Sequence, residues 1–347
     1  MQPDMVWIKT RSHSSDHALF DSVRGVNKQL RPNHNADEYD SYSDILTDFD
    51  SDGFTLGADT NVTNVNTNAR TYVAWCWKAG GAPSATNSAG AGATPTANSV
   101  KIDGSNLGSA LAGTIPATKL SANTTSGLSI VAYTGTGSGG TIGHHLGKVP
   151  DMIFVKKLTN VTDATNRSWA VYHTGVGATH YGILDSPNVF SDSDTYWNDT
   201  TPTTSVFSVL TDNAVNDSSS TYIAYCWASI EGYSKFGSYI GNGDADGPHV
   251  YLGFEPALIM VKKAEHSTNN WNMVDHKRHP FNDGDAPYIY ADTDAAETNP
   301  GDSSQDVDIL ANGFKIRNGN AAYNSSTRKY IYAAWAKSPF ALNNRAR

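Results

Sequence analysis

Apolar and polar residues alternate with a period of two along short stretches of this chain. In "SWAVYH", Trp169, Val171 and His173 fall on one side and Ala170 and Tyr172 on the other, the spacing of a strand. Other stretches, such as "MIFV" (Met152 to Val155), are apolar without a break, which fits a strand buried on both faces. These pieces are short, closely spaced and broken by Gly, Asn, Asp and Pro, so they predict an all-β sandwich or barrel. No apolar run approaches the roughly eighteen residues of a membrane helix, so no membrane span is expected.

The pattern repeats three times, and repeats of this size define a fold more firmly than any single stretch. Each unit opens on a proline-led apolar strand: "PDMVWIKT" from Pro3, "PDMIFVKK" from Pro150 and "PALIMVKK" from Pro256. Each has a middle piece: "DGFTLG" at Asp52, "TSVFSVL" at Thr204 and "NGFKIR" at Asn312. Each closes on an aromatic strand, "TYVAWCWKA", "TYIAYCWAS" or "KYIYAAWAK", which carries Trp77, Trp227 or Trp335. Within that strand Cys76, Cys226 and Ala334 share a position. Such a site calls for a small buried side chain, which free cysteine supplies.

Units two and three carry one more strand ahead of the proline, "SIVAYTGTG" and "KFGSYIGNG". Unit one begins at its proline. It is expected to have an unpaired edge or to borrow a strand. The reading is therefore three tandem β-sandwich repeats of jelly-roll or lectin-like type, the first lacking its N-terminal strand. The divisions are 1–79 for the incomplete first repeat, 80–126 for a Gly/Ser/Pro-rich linker with room for a small hairpin, 127–231 for the second repeat, 232–340 for the third and 341–347 for a tail. A linker of that composition is expected to be flexible, so units two and three should form a rigid pair with unit one attached more loosely.

Composition narrows the function. The chain has 25 Lys and Arg against 34 Asp and Glu, a net charge of −9. That balance argues against a nucleic-acid-binding face. The N-terminus shows no basic region followed by an apolar core, so no secretion signal is expected. Two cysteines do not make a disulfide framework, and no Cys76–Cys226 bridge is expected.

The repeats also act as an internal control on chemical motifs. His173, near Asp185 and several serines, invites a catalytic triad. Its counterparts Asp21 and Asp275 point instead to a polar strand-end or turn residue, and no G-x-S-x-G elbow is present. Asp48, Asp50 and Asp52 have the spacing of a calcium loop, but that loop needs flanking helices, and a turn entering a strand is the preferred reading. "NGDADG" (Asn242 to Gly247) reads as a hairpin turn. Lys9, Lys156 and Lys262 recur at the end of the proline-led strand, as edge caps or carboxylate partners. His144, His145, His276 and His279 form no zinc pattern. Trp169 and Trp271 occupy matching positions and should be core. Tyr196 and Trp197, in the polar run "SDSDTYWNDTTPT", are the candidates to face a ligand such as a sugar. No cofactor and no metal are expected.

The phrases "PDMVWIKTRSHSSDHALFDSVRG", "TYVAWCWKAGG", "SANTTSGLSIVAYTGTG", "HHLGKVPDMIFVKK", "SKFGSYIGNGDADGPHVYLGFEPALIMVKK" and "YIYAAWAKSPF" resemble a repeat domain common in tailed-phage and prophage virion proteins, especially those of marine phages. Members of that family commonly carry more sequence ahead of the first proline. The resemblance implies a non-enzymatic structural protein of the virion, assembled in the host cytoplasm: a tail-fibre, spike or appendage component with a role in host-surface attachment. The alternatives are a capsid or collar decoration protein, a carbohydrate-binding module and, least favoured, a glycan-degrading enzyme. The partners implied are other copies of the chain, with a homotrimer favoured, other virion proteins and host surface glycans.

Overall fold

The computed structural model describes residues 1–60, 65–159, 167–284, 286–298 and 305–339, and the expected tail at 341–347 lies outside them. The fold is all-β, with several sheets, none of them closed into a barrel. Unit 1 holds β1 (Met5–Thr10), β2 (Ala18–Asp21), β3 (Leu46–Asp50), β4 (Gly53–Leu56) and β5 (Tyr72–Trp77). The connecting segment adds β6 (Val100–Ile102), β7 (Ser105–Asn106) and β8 (Ala117–Asn123). Unit 2 holds β9 (Leu128–Thr134), β10 (Gly140–Gly143), β11 (Met152–Lys157), β12 (Ala170–His173), β13 (His180–Ile183) and β14 (Ser191–Asp192). It continues with the one-turn helix α1 (Asp194–Trp197), β15 (Val206–Val209), α2 (Asn213–Asn216) and β16 (Thr221–Trp227). Unit 3 holds β17 (Ser234–Ile240), β18 (His249–Tyr251), β19 (Pro256–Lys263), β20 (Asn272–Asp275) and β21 (Ile289–Tyr290). It ends with β22 (Val307–Leu310), β23 (Gly313–Ile316) and β24 (Lys329–Ala336).

The repeated phrases fold alike. In each unit the proline-led strand runs antiparallel between the aromatic strand and the strand that follows it: β5-β1-β2, β16-β11-β12 and β24-β19-β20. The register is shared, with Met5 opposite Trp77, Met152 opposite Trp227 and Leu258 opposite Trp335. The middle pieces form β4, β15 and β23 on a second layer. In unit 2 the helix α1 lies against β15 where the other units place β3 or β22.

Strand alternation divides each proline-led strand between two cores. Met5 and Trp7, Met152 and Phe154, and Leu258 and Met260 enter one core shared by all three units. Val6 and Ile8, Ile153 and Val155, and Ile259 and Val261 enter the separate core of their own unit. This explains the unbroken apolar runs: both faces are covered. The repeated tryptophans meet in the shared core, with ring centroids 5.4 Å apart for Trp77 and Trp335 and 6.3 Å for Trp227 and Trp335.

Unit 1 is not set apart from the other two. The segment 80–126 lengthens the sheet of unit 2, because β8 pairs with β9, β6 pairs with β8, and β6 and β7 form a small hairpin. Its small polar residues serve as ligands for the backbone. Asn87 donates to the Ala117 carbonyl at 2.9 Å and accepts from the Ala89 and Thr96 amides at 3.0 Å.

Candidate functional site

Several of the polar residues at matched positions meet at the seams between units. One matched set of three backbone hydrogen bonds links the units head to tail: Glu38 N to Leu158 O (3.3 Å), Phe190 N to Ala264 O (3.1 Å) and Glu297 N to Arg11 O (2.8 Å). Three ring nitrogens make a second matched set. Trp169 Nε1 donates to Arg31 O and Trp271 Nε1 to Ile183 O, both at 2.9 Å. His17, in the same position of unit 1, reaches Tyr290 O at 3.0 Å. Trp7 Nε1 donates to His17 Nδ1, so His17 Nε2 carries the hydrogen and is the donor to Tyr290. Unit 1 thus contacts unit 2, unit 2 contacts unit 3, and unit 3 contacts unit 1 in the same sense. The three close into a ring.

A third set involves Asp21, His173 and Asp275. Tyr225 Oη donates to Asp21 Oδ2 at 2.7 Å, and Trp75 Nε1 donates to Asp275 Oδ2 at 3.2 Å. The residue matching Tyr225 and Trp75 in unit 3 is Ala333, which has no donor. There His173 stands in place of aspartate and donates to the Tyr332 carbonyl at 3.1 Å, while its Nδ1 accepts from Gly175 N. Both aspartates also cap their own turn through backbone amides and hold a buried arginine, Asp21 with Arg24 at 2.5 Å and Asp275 with Arg278 at 2.6 Å. Burial works against the Arg24 cation, but Asp21, Tyr225 and Glu38 around it raise its pKa. The strand-end reading of these positions holds, and no triad forms: Asp185 is spent on the Trp169 amide, and both His173 nitrogens are engaged elsewhere. The cross-seam role was visible only as the D-x-x-R spacing shared by "DSVR" and "DHKR".

Burial lowers the pKa of each of Lys9, Lys156 and Lys262 to about 8. They are not edge caps. Their ammonium groups donate to backbone carbonyls, Lys9 to Thr10 and Asp294, Lys156 to Arg167, and Lys262 to Pro187 and Asn269. Lys156 and Lys262 also lie over Trp169 and Trp271. Burial also pushes His17 down to about 3, and His144 and His173 to about 4, so all three are neutral at pH 7.

Other expectations are corrected. Tyr196 and Trp197 do not face solvent. Ser193 caps the turn of α1, which turns both rings into the core of unit 2. Tyr196 stacks on Tyr181 at 3.8 Å, and Trp197 meets Tyr172 edge-on. Asp48, Asp50 and Asp52 lie on the β3–β4 hairpin, not between helices, and Asp50 accepts from the Thr55 hydroxyl at 2.7 Å. "NGDADG" is a turn, but it joins strands of different sheets instead of closing a hairpin, since β17 pairs with β24 and β18 with β23. Cys226 is buried, whereas Cys76 is exposed, and both thiols are free.

The exposure of Cys76 marks a place where unit 1 departs from the pattern of the other two. In unit 2, β9 pairs along β16; in unit 3, β17 pairs along β24. Among the described residues β5 has no such partner and is a sheet edge. The next strands, β10 on β15 and β18 on β23, likewise have no counterpart on β4. The core around Cys226 draws Val131 from β9, Ile142 from β10 and Leu146 from the segment after β10, and among the described residues unit 1 has no counterpart of these strands. Beside β5 runs a groove of about 270 Å³, lined by Val73, Trp75, Cys76 and Trp77 of β5 and by Tyr233, Leu258 and Trp335, together with the polar Asp275, His276 and Lys277. It is mainly apolar, and its chemistry suits binding through a strand edge and side-chain burial.

No curated protein and no solved structure matches the chain. Residues 1–104 and 101–339 match a family described as a domain of unknown function, DUF7483, and the two matches overlap at 101–104, at the end of β6. With nearly the whole length covered, the chain belongs to the DUF7483 family.

Proposed function

We propose that the chain is a non-enzymatic structural protein of a tailed-phage virion, a component of a tail fibre, spike or appendage that works in display and host-surface attachment. The observation that carries this reading is the triplication of the buried polar groups. Residues of the kinds that catalysis uses (Asp21, Asp275, His17, His173 and the three lysines) sit at matched positions and are bonded across seams or to backbone. A reactive constellation occurs once in a chain; a structural device recurs with the repeat. The phage-like phrases of the sequence support the same reading. Its partners would be further copies of the chain as a homotrimer, other virion proteins and host glycans.

The test is immunogold labelling of intact particles from a phage that encodes the chain. Label on the tail or its appendages is expected. Label on the head or collar would replace the reading with a decoration protein, and particles without label would overturn it. Native mass spectrometry of the purified chain should give a trimer, and a monomer at micromolar concentration would remove that part.

A further inference from the structure

We propose that β5 accepts, as an antiparallel fourth strand, an extended segment of a partner polypeptide from outside these residues. The segment carries a large apolar residue, a tyrosine three positions later and a glycine two positions after that. The inference stands apart from where the chain sits in a particle.

The ring itself supplies the template. On β16, Ile130 of β9 lies opposite Tyr225 and Tyr133 lies opposite Tyr222. On β24, Phe236 of β17 lies opposite Ala333 and Tyr239 lies opposite Tyr330. Ile130 and Phe236 enter the shared core. The tyrosines stack on their partners at 5.1 and 5.2 Å, and their hydroxyls donate to Val215 O and Tyr323 O. Gly135 and Gly241 follow. A Cβ on Gly135 would lie 2.2 Å from Asp217 O, and one on Gly241 would lie 2.3 Å from Ser325 O. Only glycine fits that approach.

The receiving half of the same arrangement is already present in unit 1. Tyr72 Oη accepts from Thr67 N at 2.9 Å, as Tyr222 does from Asp217 N and Tyr330 from Ser325 N. The turn before the strand keeps its left-handed residue in all three units, with φ of 61° at Ala69, 66° at Ser219 and 62° at Thr327. In units 2 and 3 that residue's amide donates to the glycine carbonyl. Unit 1 therefore keeps a turn shaped to meet a glycine, a tyrosine to be stacked on and an apolar groove beside Trp75. A second copy has no spare strand of this kind: the pattern of a large apolar residue, Tyr and Gly occurs in the sequence only at Ile130–Gly135 and Phe236–Gly241, and both are paired within their own sheets.

The experiment uses the intact chain and a synthetic peptide that copies Gly127 to Gly137. Cys76 is the reporter. Saturable binding by fluorescence anisotropy is expected, together with at least a tenfold slowing of maleimide addition to Cys76 and no change at Cys226. A peptide with Ser129→Cys should form a mixed disulfide with Cys76, since Ser129 faces Cys226 in the template; a peptide with Thr134→Cys should not. Peptides with Tyr133→Ala or Gly135→Val should bind at least tenfold more weakly. Absence of binding at millimolar peptide, or equal binding of the altered peptides, would overturn the proposal. So would concentration-dependent dimerisation that shields Cys76 without peptide, which would make a second copy the occupant.

Discussion

Tyr225 of unit 2 donates its hydroxyl to Asp21 of unit 1 at 2.7 Å, across a seam where both residues are fully buried. The same carboxylate holds Arg24. Tyr225→Phe leaves Asp21 with its arginine and its turn amides and should cost about 1.5–3 kcal/mol, the range for a hydrogen bond to a charged group. Asp21→Ala leaves the buried guanidinium of Arg24 with Glu38 as its remaining carboxylate and should cost more than Tyr225→Phe, up to about 3–5 kcal/mol. Urea unfolding of the two variants checks both values. A neutral Tyr225→Phe would mean that the seam does not contribute to stability.

Acid should destabilise the fold as pH falls below about 6.5. Three buried histidines, His17, His144 and His173, have folded pKa values depressed to about 3 or 4 by burial. A depressed base binds fewer protons folded than unfolded, so stability is lost as pH falls from the unfolded value near 6.5 toward the folded one. At pH 5 each ring should account for roughly 2 kcal/mol. Thermal melting from pH 7 to pH 4.5 should show a steep loss, and a flat profile above pH 5 would contradict these assignments.

Trp197 should matter to folding, not to ligand contact. It is 2% exposed in the core of unit 2, so Trp197→Ala should cost about 3–5 kcal/mol. Trp197→Phe, which keeps most of the volume, should fold and leave any glycan-array signal unchanged. A folded Trp197→Phe protein that loses glycan binding would restore the ligand-facing role.

Glycine at 135 and at 241 is required by space. An alanine methyl at either position would overlap a backbone carbonyl, so Gly135→Ala and Gly241→Ala should each lower the melting temperature by several degrees. Gly108→Ala, with nothing within 4 Å of its added methyl, should be neutral. Differential scanning fluorimetry separates the two cases; equal effects at the three sites would show that close packing is not the cause.

The strands and their threefold repetition were legible because period-two alternation and proline-led phrases are local signals. The open edge of unit 1 followed from comparing units. The ring closure was not legible, because its donors meet backbone carbonyls such as Arg31 O, Ile183 O and Tyr290 O, and a carbonyl has no letter in the sequence. Tyr196 and Trp197 misled for a related reason: one capped helical turn inside a polar run is too short to show periodicity. Cys76 was read from Cys226 and Ala334. It differs because burial at Cys226 is supplied by neighbouring strands that have no counterpart beside β5 among the described residues.

Three like units close a ring, and of their aromatic strands β5, β16 and β24 only β5 stands at a sheet edge among the described residues. Native-state hydrogen exchange, read residue by residue along β5, β16 and β24, tests it most directly. The outward amides of β5 should exchange on the order of a hundredfold faster than the matched amides of β16 and β24, because only the latter are paired on both sides. Equal protection along the three strands would contradict it.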